Sequence, residues 1–428
     1  MAGGSQGRRR RRPRKARRDP PIHKLSDDLV LEVFLRLPSL ATLVRAAFAC
    51  RAWRRAVASS PAFRRRFRAL HPPPLLGFFF DAPDAAEAPY VPAFPAFVPI
   101  RPRDGDLAAA VRGGDFFLTS LQAIAGESPC WEIVDCRRGY ALLMNWGDSL
   151  LVAMNPLQRR SESVFDFGSP ITFIGYRGDV TAHGEPRLLR SDDEPTAFRS
   201  VLLAHDKSRI RATVFSSGTR KWSIRPWVKV PAPVRSDGVA RWVQSEGMQA
   251  NGFLFWVYED QRYIISLNTA TMKFSTTELP QCLRNSSYDA GETKDGEVCI
   301  VYSDQLNIGV LMHTRDDDGA ERWVLDKVSP LDKELERVIR GGLYDDSVVE
   351  NPSELFVLAV RDGYVYLAAS WRHNGPRLPC WFLSLCLETM KLERLFRRAL
   401  SSSVHPYIMA WPPSLVGNHG RFENEDAP

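Results

Sequence analysis

From residue 25 to residue 70 the apolar positions recur at the three- and four-residue spacing of helices, and the breaks between them carry capping residues. Ser26 stands as an N-cap before two aspartates, whose carboxylates suit the first turn of a helix, and Pro38 stops that segment. Ser60 and Pro61 open the last segment as N-cap and first helical residue. The pattern predicts four short helices.

The first predicted helix is apolar around almost its whole circumference. Only Asp28, Glu32 and Arg36, spaced four apart, interrupt its apolar residues. One neighbouring helix cannot cover that much apolar surface, and a unit of about 46 residues buries too little of its chain to be more than marginally stable. We therefore expect a partner protein to complete this core, which makes the helical unit a docking module.

Beyond Leu75 the pattern changes to short alternating strands separated by turn residues. At four places a polar residue and a glycine precede an apolar strand, and a second strand and a turn follow; these are Arg138-Gly139, Asn251-Gly252, Asp295-Gly296 and Asp362-Gly363. Each unit predicts an antiparallel meander in which glycine supplies a positive φ. Ten of the eleven tryptophans lie between Trp131 and Trp411. Meanders repeated at irregular intervals favour propeller blades over a single sandwich, without fixing their number.

These patterns predict a small all-α module followed by an all-β, propeller-like domain of antiparallel meanders, which is an α+β multidomain class. The expected segments are a disordered Arg-rich tail at 1–21, the helical module at 22–70, the propeller-like domain at 71–415 with a Pro/Ala-rich loop at 81–112, and a disordered polar tail at 416–428. The stretches 176–193 and 288–293 are expected to be variable loops that carry specificity.

Charge is distributed unevenly along the chain. Residues 1–80 hold 19 Lys and Arg against four acids, whereas the remainder holds 38 against 46. Nine of the basic residues lie in the tail: Arg8, Arg9, Arg10, Arg11, Arg12, Arg14, Lys15, Arg17 and Arg18. Three interpretations of this run stay open, namely a nuclear-import signal, which is favoured, a polyanion contact, or a plain solvated tail. A second cluster, Arg54, Arg55, Arg64, Arg65, Arg66 and Arg68, is expected to form a solvated face.

The sequence offers no recognisable catalytic motif, so we expect no catalytic residue, cofactor or metal. Its eight histidines lack metal-ligand spacing, and its seven thinly spread cysteines predict reduced thiols. The acidic run at 316–319 is expected to be a hairpin turn, and Asp289, Glu292, Asp295 and Glu297 a solvated loop. No apolar run reaches about 18 residues, so we expect no membrane span. Because no apolar segment follows the basic N-terminus, the expected location is nucleus, cytoplasm or both.

The segment 25–70 resembles an F-box, in the version found in large plant families. Leu25 matches the opening Leu, Asp28-Leu29-Val30 the acidic triplet, Val33-Phe34 the Ile-Leu pair and Leu37-Pro38 the second Leu-Pro, with Leu43, Arg45, Cys50-Arg51 and Trp53-Arg54 following. Ser26 replaces the usual Pro, and Ala49 a commoner Val. The remaining chain, with SSPAF at 59–63, Asp135 to Gly139 and the glycine strand openers, is similar to the propeller-like F-box-associated region of grass proteins.

The resemblance implies a non-catalytic substrate receptor of a Skp-cullin-F-box ubiquitin ligase. Its partners would be the Skp-type adaptor, through it a cullin-RING ligase, and an unknown target held by the propeller; membrane is not expected and nucleic acid is not favoured. The residues it implies for adaptor docking are Leu25, Leu29, Val30, Val33, Leu37, Pro38, Leu43 and Trp53. For Leu43 and Trp53, a place in the module's own core is an equal alternative.

Two functions from other classes stay open at this point. The first is a nuclear scaffold or nucleic-acid-associated F-box protein that acts through its arginine tail and has no degradation target. The second is a propeller enzyme, which would need clustered His, Tyr and Cys or paired carboxylates on one rim.

Overall fold

The computed structural model describes residues 25–81, 94–100, 105–122, 131–145, 148, 150–158, 160–166, 182–190, 197–206, 208–231, 243–244, 246–315, 321–340, 352–370, 379–400, 403–412 and 415–416. The chain separates into two compact units, one formed by 1–71 with 414–428 and the other by 72–413. The described helices include none that is long and apolar enough to cross a membrane. The arginine tail, the acidic run at 316–319 and the C-terminal polar tail lie outside the described residues.

The four helices predicted for the first unit are present: α1 (Asp27–Phe34), α2 (Leu40–Phe48), α3 (Arg51–Ser59) and α4 (Pro61–Leu70). Ser26 caps α1 through the backbone N–H of Leu29, and Ser60 caps α4, where Pro61 takes the first helical position. The first helix ends at Phe34, before Pro38, because the following N–H groups bond three residues back in a tighter turn.

The core of the helical unit is built from one buried stripe of each helix. Its apolar members include Val30, Phe34, Leu43, Val57, Phe63 and Phe67. The predicted solvated arginine face is wrong at Arg64, which is buried and donates from its guanidinium to the carbonyl of Ala58 at 2.8 Å. The exposed Arg66 instead bonds Glu32 of α1 at 2.6 Å. The apolar stem of an arginine can pack in the core when a backbone carbonyl accepts a hydrogen bond from its guanidinium.

The second unit begins with β1 (Leu75–Phe80) and β2 (Ala96–Pro99), followed by α5 (Gly105–Gly113) and α6 (Thr119–Gln122). The prediction of a continuous loop over 81–112 is therefore wrong for its second half. The segment 96–99 is a strand because it pairs with β1 in antiparallel register, Phe97 opposite Phe79. The proline and alanine content of this region suggested a loop, although its apolar segment 96–99 pairs with the edge of β1.

Antiparallel sheets then follow in chain order. The first consists of β3 (Glu132–Arg137), β4 (Tyr140–Asn145), β5 (Leu150–Asn155) and β6 (Arg160–Asp166), and the second of β7 (Ala182–His183), β8 (Arg187–Arg190), β9 (Phe198–His205), β10 (Arg209–Ser216), β11 (Lys221–Ile224) and β12 (Val228–Lys229). The third consists of β13 (Met248–Ala250), β14 (Phe253–Val257), β15 (Tyr263–Asn268) and β16 (Lys273–Glu278), and the fourth of β17 (Ser287–Glu292), β18 (Val298–Asp304), β19 (Asn307–Arg315) and β20 (Glu321–Pro330). After α7 (Asp332–Arg340), the fifth consists of β21 (Glu354–Arg361), β22 (Tyr364–Ser370), β23 (Pro379–Cys386) and β24 (Leu392–Ala399).

The last strand, β25 (Val404–Ile408), pairs antiparallel with β1 and closes the ring of sheets. The sheet β2-β1-β25 is thus a blade made from both ends of the unit, and the described chain forms a six-bladed propeller. The predicted fold class, a helical module followed by an all-β propeller of antiparallel meanders, is confirmed. In a closed ring the faces of each sheet pack against neighbouring blades, so no blade face is left uncovered as it would be at the ends of an open array.

The predicted glycine turns lie between the first two strands of their blades. Gly139, Gly252, Gly296 and Gly363 all have positive φ, from +74° to +88°. At Gly139 and Gly363 the preceding residue also has positive φ, as a tight two-residue hairpin requires.

Glu321, at the start of β20, joins the third and fourth blades. Its carboxylate accepts hydrogen bonds from the hydroxyls of Ser266 at 3.0 Å and Ser275 at 2.5 Å, and it pairs with Arg315 at 3.2 Å. The imidazole of His313 and the two hydroxyls hold the pKa of Glu321 down to about 2, against the opposite effect of burial.

We expect Glu321→Gln to make the free energy of unfolding depend less on pH in the acidic range. An unfolded glutamate titrates near 4.3, so the contribution of Glu321 is complete above that pH and is lost as the pH falls through about 2. The variant should lose roughly 2 kcal/mol at neutral pH and less toward pH 2, measured by urea unfolding across that range. Glu393→Gln, which removes an exposed carboxylate paired with Lys391, is the control and should leave the slope unchanged.

Candidate functional sites

The helical unit carries exposed apolar side chains on α1 and just before it. Leu25, which precedes the N-cap of α1, and Leu29 and Val33 on the helix are spaced four residues apart and are 40%, 54% and 46% exposed. Phe48, at the end of α2, is 49% exposed, with the guanidinium of Arg54 over its ring at 4.9 Å. Exposed apolar residues in a regular row, on a unit with a small core, indicate a surface for a protein partner. We call Leu25, Leu29 and Val33 the α1 row.

The other residues implied for docking have different environments. Val30 and Leu43 are buried at 3% and 0% exposure, so they belong to the core of this unit. Trp53 is half-buried and makes an edge contact with Phe34 at 5.7 Å. Leu37 is half-buried and Pro38 is exposed directly after α1. Contact of each with an adaptor stays a prediction.

A cavity of about 290 Å³, called the channel below, lies among the innermost strands of the propeller. Residues of β3, β8, β13, β17, β21 and β25, one innermost strand of each blade, line it. Hydrogen bonds show that β17 and β21 run side by side in the same direction, because Asp289 accepts from the N–H of Val360 and Glu292 from that of Asp362. The carboxyl ends of β17 and β21 therefore lie at the same end of the channel.

Three arginines and their carboxylate partners give the channel its charge. Arg361 pairs with Asp289 at 3.0 Å, Arg137 lies 3.8 Å from Glu292, and Arg187 pairs with Glu185 at 3.1 Å. The first two pairs join different blades, whereas Glu185 and Arg187 are two residues apart in one segment. Because these side chains are mostly buried, the pairs act in a poorly screened environment, and the first two help to fix the approach of the innermost strands.

The prediction that the acids between 289 and 297 form a solvated loop is wrong for two of the four. Asp289 and Glu292 lie on β17 and face the channel arginines, so 288–292 of the stretch expected to be a variable loop belong to an innermost strand. Asp295 and Glu297 are exposed in the following turn, as expected. The acidic composition resembled that of a loop because the arginines that pair with it are distant in the chain: Arg361 lies 72 residues after Asp289, and Arg137 belongs to an earlier blade than Glu292.

Burial dominates the titration of the groups in the channel. Burial lowers the pKa of His405 to about 4, so its imidazole is neutral at physiological pH and takes a hydrogen bond with Ser403 at 2.6 Å. Burial, and then the nearby charge of Arg361, lowers the pKa of Arg137 to about 10. Burial also raises the pKa of the Cys136 and Cys299 thiols, which makes them unreactive.

The described residues contain no group of three or more His, Cys, Asp and Glu able to hold a metal ion. The six cysteines in the described part of the chain are unpaired thiols, as the sequence predicts. The channel carboxylates are tied to arginines or to backbone N–H groups: the N–H of Leu188 donates to Asp135 at 2.7 Å. Sequence reasoning missed this network; the alternation of Asp135 and Arg137 just before the Gly139 turn was the available signal.

Comparison with known families supports a propeller rather than a single sandwich. Residues 132–415 match the family described as F-box protein AT5G49610-like, beta-propeller. The chain belongs to that family. Residues 22–65 match the F-box domain, so this propeller protein carries its F-box on the helical unit that bears the α1 row. F-box proteins of this kind are in general non-catalytic adaptors.

Among curated proteins no relative matches the chain. Solved structures include distant matches: a protein from Lactobacillus plantarum at 13% identity and TM-score 0.32, over 64% of this chain and 72% of that one, and a functionally unknown protein from Desulfotomaculum acetoxidans at 11% and 0.32, over 65% and 74%. The calcium-binding protein regucalcin from Agrobacterium tumefaciens matches at 11% and 0.30, over 62% and 72%.

Proposed function

We propose that this protein is the substrate-recognition subunit of a Skp-cullin-F-box ubiquitin ligase. The observation that supports this best is the exposed α1 row on an F-box that is joined, in one chain, to a six-bladed propeller. The row would dock on the Skp-type adaptor, and through it on a cullin-RING ligase. The propeller would hold the target protein.

In this role the protein performs no bond chemistry. It raises the effective concentration of target lysines near the ubiquitin thioester, which converts a bimolecular encounter into a local one. The proposal includes a grass-type receptor in nucleus, cytoplasm or both, with the arginine run at 8–18 as its import signal.

The proposal is tested with the full chain and its variant Leu37→Asp with Pro38→Ala, each used to capture partners. The wild-type chain should co-purify with a Skp-type adaptor and a cullin, whereas the variant should lose both and retain the target, which accumulates because it is not ubiquitinated. Quantitative mass spectrometry of the two captures identifies that target. Equal adaptor recovery from both chains would refute the docking assignment.

A further inference from the structure

The outer edge of the fourth blade is formed by β20, which with its ten residues, Glu321–Pro330, is the longest of the described strands. It pairs with β19 along one edge, and no described strand pairs with its other edge. Val324, Leu325 and Val328 on this strand are each about half exposed. Among the other outermost strands whose side chains the structure describes, Val228 of β12 is the only large apolar residue that is exposed. An apolar strand edge of this length indicates a surface for a further strand.

The features that usually protect a sheet edge lie toward the far end of β20. Pro330 ends the strand, and the pairing with β19 shifts register beside Asp326. From Arg322 to Leu325 the pairing with β19 is regular, so this stretch presents its outer backbone groups in the geometry of a strand edge. It can therefore accept another antiparallel strand.

The order of charges along β20 complements a second, antiparallel copy of the same strand. With Val324 of one copy opposite Val324 of the other, Arg322 of each copy lies opposite Asp326 of the other. Both Arg322 and Asp326 are exposed. Trp323 then lies opposite Leu325, which places apolar side chains between the two charge pairs. Opposite charges and apolar pairs across neighbouring strands stabilise a sheet.

Charge also disfavours the neighbouring registers. A shift of one residue in one direction places Arg322 opposite Lys327, and a shift in the other direction places Glu321 opposite Asp326. Like charges directly opposite each other destabilise a pair of strands. The sequence of β20 therefore selects the register centred on Val324, and an extended segment of unrelated sequence lacks this complementarity.

We propose that β20 is a self-association surface, through which two copies of this chain pair antiparallel about Val324 and join their four-stranded fourth blades into one sheet. The contact is smaller than a standard interface of roughly 1,600 Å², so the dimer is reversible, with a Kd in the micromolar range. In the receptor proposed above, pairing places two propellers on one assembly and raises the avidity for a target with two binding sites. The pairing goes beyond adaptor docking and does not depend on it.

The test compares charge reversals in the full chain by sedimentation velocity, from about 1 to about 200 μM, which spans the affinities of weak specific contacts. The wild-type chain should dimerise as its concentration rises. Arg322→Asp and Asp326→Arg, each of which creates two like-charge pairs, should weaken the dimer at least about tenfold, and the two changes combined should restore it to within about threefold. Glu393→Arg, on the outer strand β24, should have no effect, and thermal unfolding checks that each variant folds.

A wild-type chain that stays monomeric over this range overturns the proposal, as does a combined variant that is as weak as the single ones. A target segment bound at the same edge in place of a second copy gives the first of these results. Adaptor recovery is measured with the same variants. Its retention by a monomeric variant shows that failure of the pairing is separate from failure of the docking proposal.

Cysteine cross-linking tests the register. Two Val324→Cys chains should form a covalent dimer under mild oxidation, because opposite residues of antiparallel strands have Cα atoms about 5 Å apart, within disulfide reach. Val328→Cys is the matched control on the same strand and is similarly exposed. It lies four residues from the axis in each copy, so its two thiols are roughly 26 Å apart and should cross-link no more than the native thiols of the wild-type chain. Equal cross-linking of the two variants overturns the register centred on Val324.

Discussion

Leu29→Asp combined with Val33→Asp is expected to lower the affinity for a Skp-type adaptor by about 100-fold or more and to leave the fold intact. Both side chains are about half exposed on α1, so the substitutions remove little internal packing. In a complex, each would place a carboxylate in an apolar interface, where an unpaired charge is strongly unfavourable. The measurement is calorimetric titration of the full chain with purified adaptor, together with its thermal unfolding.

The matched control is Leu70→Asp, at the end of α4. Leu70 is 59% exposed and lies on the helical unit outside the α1 row, so this variant adds one carboxylate, half the charge of the double variant, at a similarly exposed position. Its adaptor affinity should stay within about threefold of wild type. An equal loss of affinity in the control and the double variant would mean that charge on this unit, rather than the α1 row, governs binding. Leu43→Asp, in contrast, should unfold the unit, because Leu43 is fully buried.

Phe116→Ala is expected to destabilise the propeller by about 3–5 kcal/mol. Phe116 is buried where the ring closes, stacked on Phe97 of β2 at 4.2 Å and against Tyr407 of β25 at 5.1 Å. Its loss leaves a cavity between strands from the two ends of the unit, whose pairing closes the ring. Chemical denaturation of the full chain measures the loss, and limited proteolysis shows whether the β1–β25 blade opens first.

Phe117 provides the control at the next position along the chain. It is 84% exposed, so Phe117→Ala should change stability by less than about 0.5 kcal/mol. Adjacent residues of the same type thus separate the effect of packing from that of composition. Similar unfolding midpoints for the two variants would contradict the closure assigned to this cluster.

The helical unit was the part of the fold that local pattern determined best. Ser26, Ser60 and Pro61 take the capping positions that their chemistry predicts, since a helix end is decided by residues within one turn. The glycine turns were equally local, and each of the four predicted openers has the expected positive φ. Local pattern could not show which apolar residues of α1 face outward, because Leu29 and Val30 are adjacent apolar residues whose burial depends on what packs against each of them.

The channel depended on contacts that no sequence window contains. Asp289 and Arg361 are separated by 72 positions, and Arg137 and Glu292 by more than twice that, so their pairing could not be inferred from spacing. The sixth blade likewise requires β1 to meet β25 across most of the chain. A propeller fixes such pairs only when it closes, since closure brings the innermost strands of all blades to one axis.

Local pattern along the chain predicted the helical module, its capped ends, its excess of apolar surface, the antiparallel meanders and the family signature at Leu25 to Arg54, because each of these depends on neighbouring residues. Folding alone set the number of blades at six, placed Leu29 and Val33 outward with Val30 and Leu43 in the core, and brought acids that resembled a loop beside arginines. Burial and charge pairing depend on contacts between residues far apart in the chain, which form when the helices pack and when the ring of blades closes.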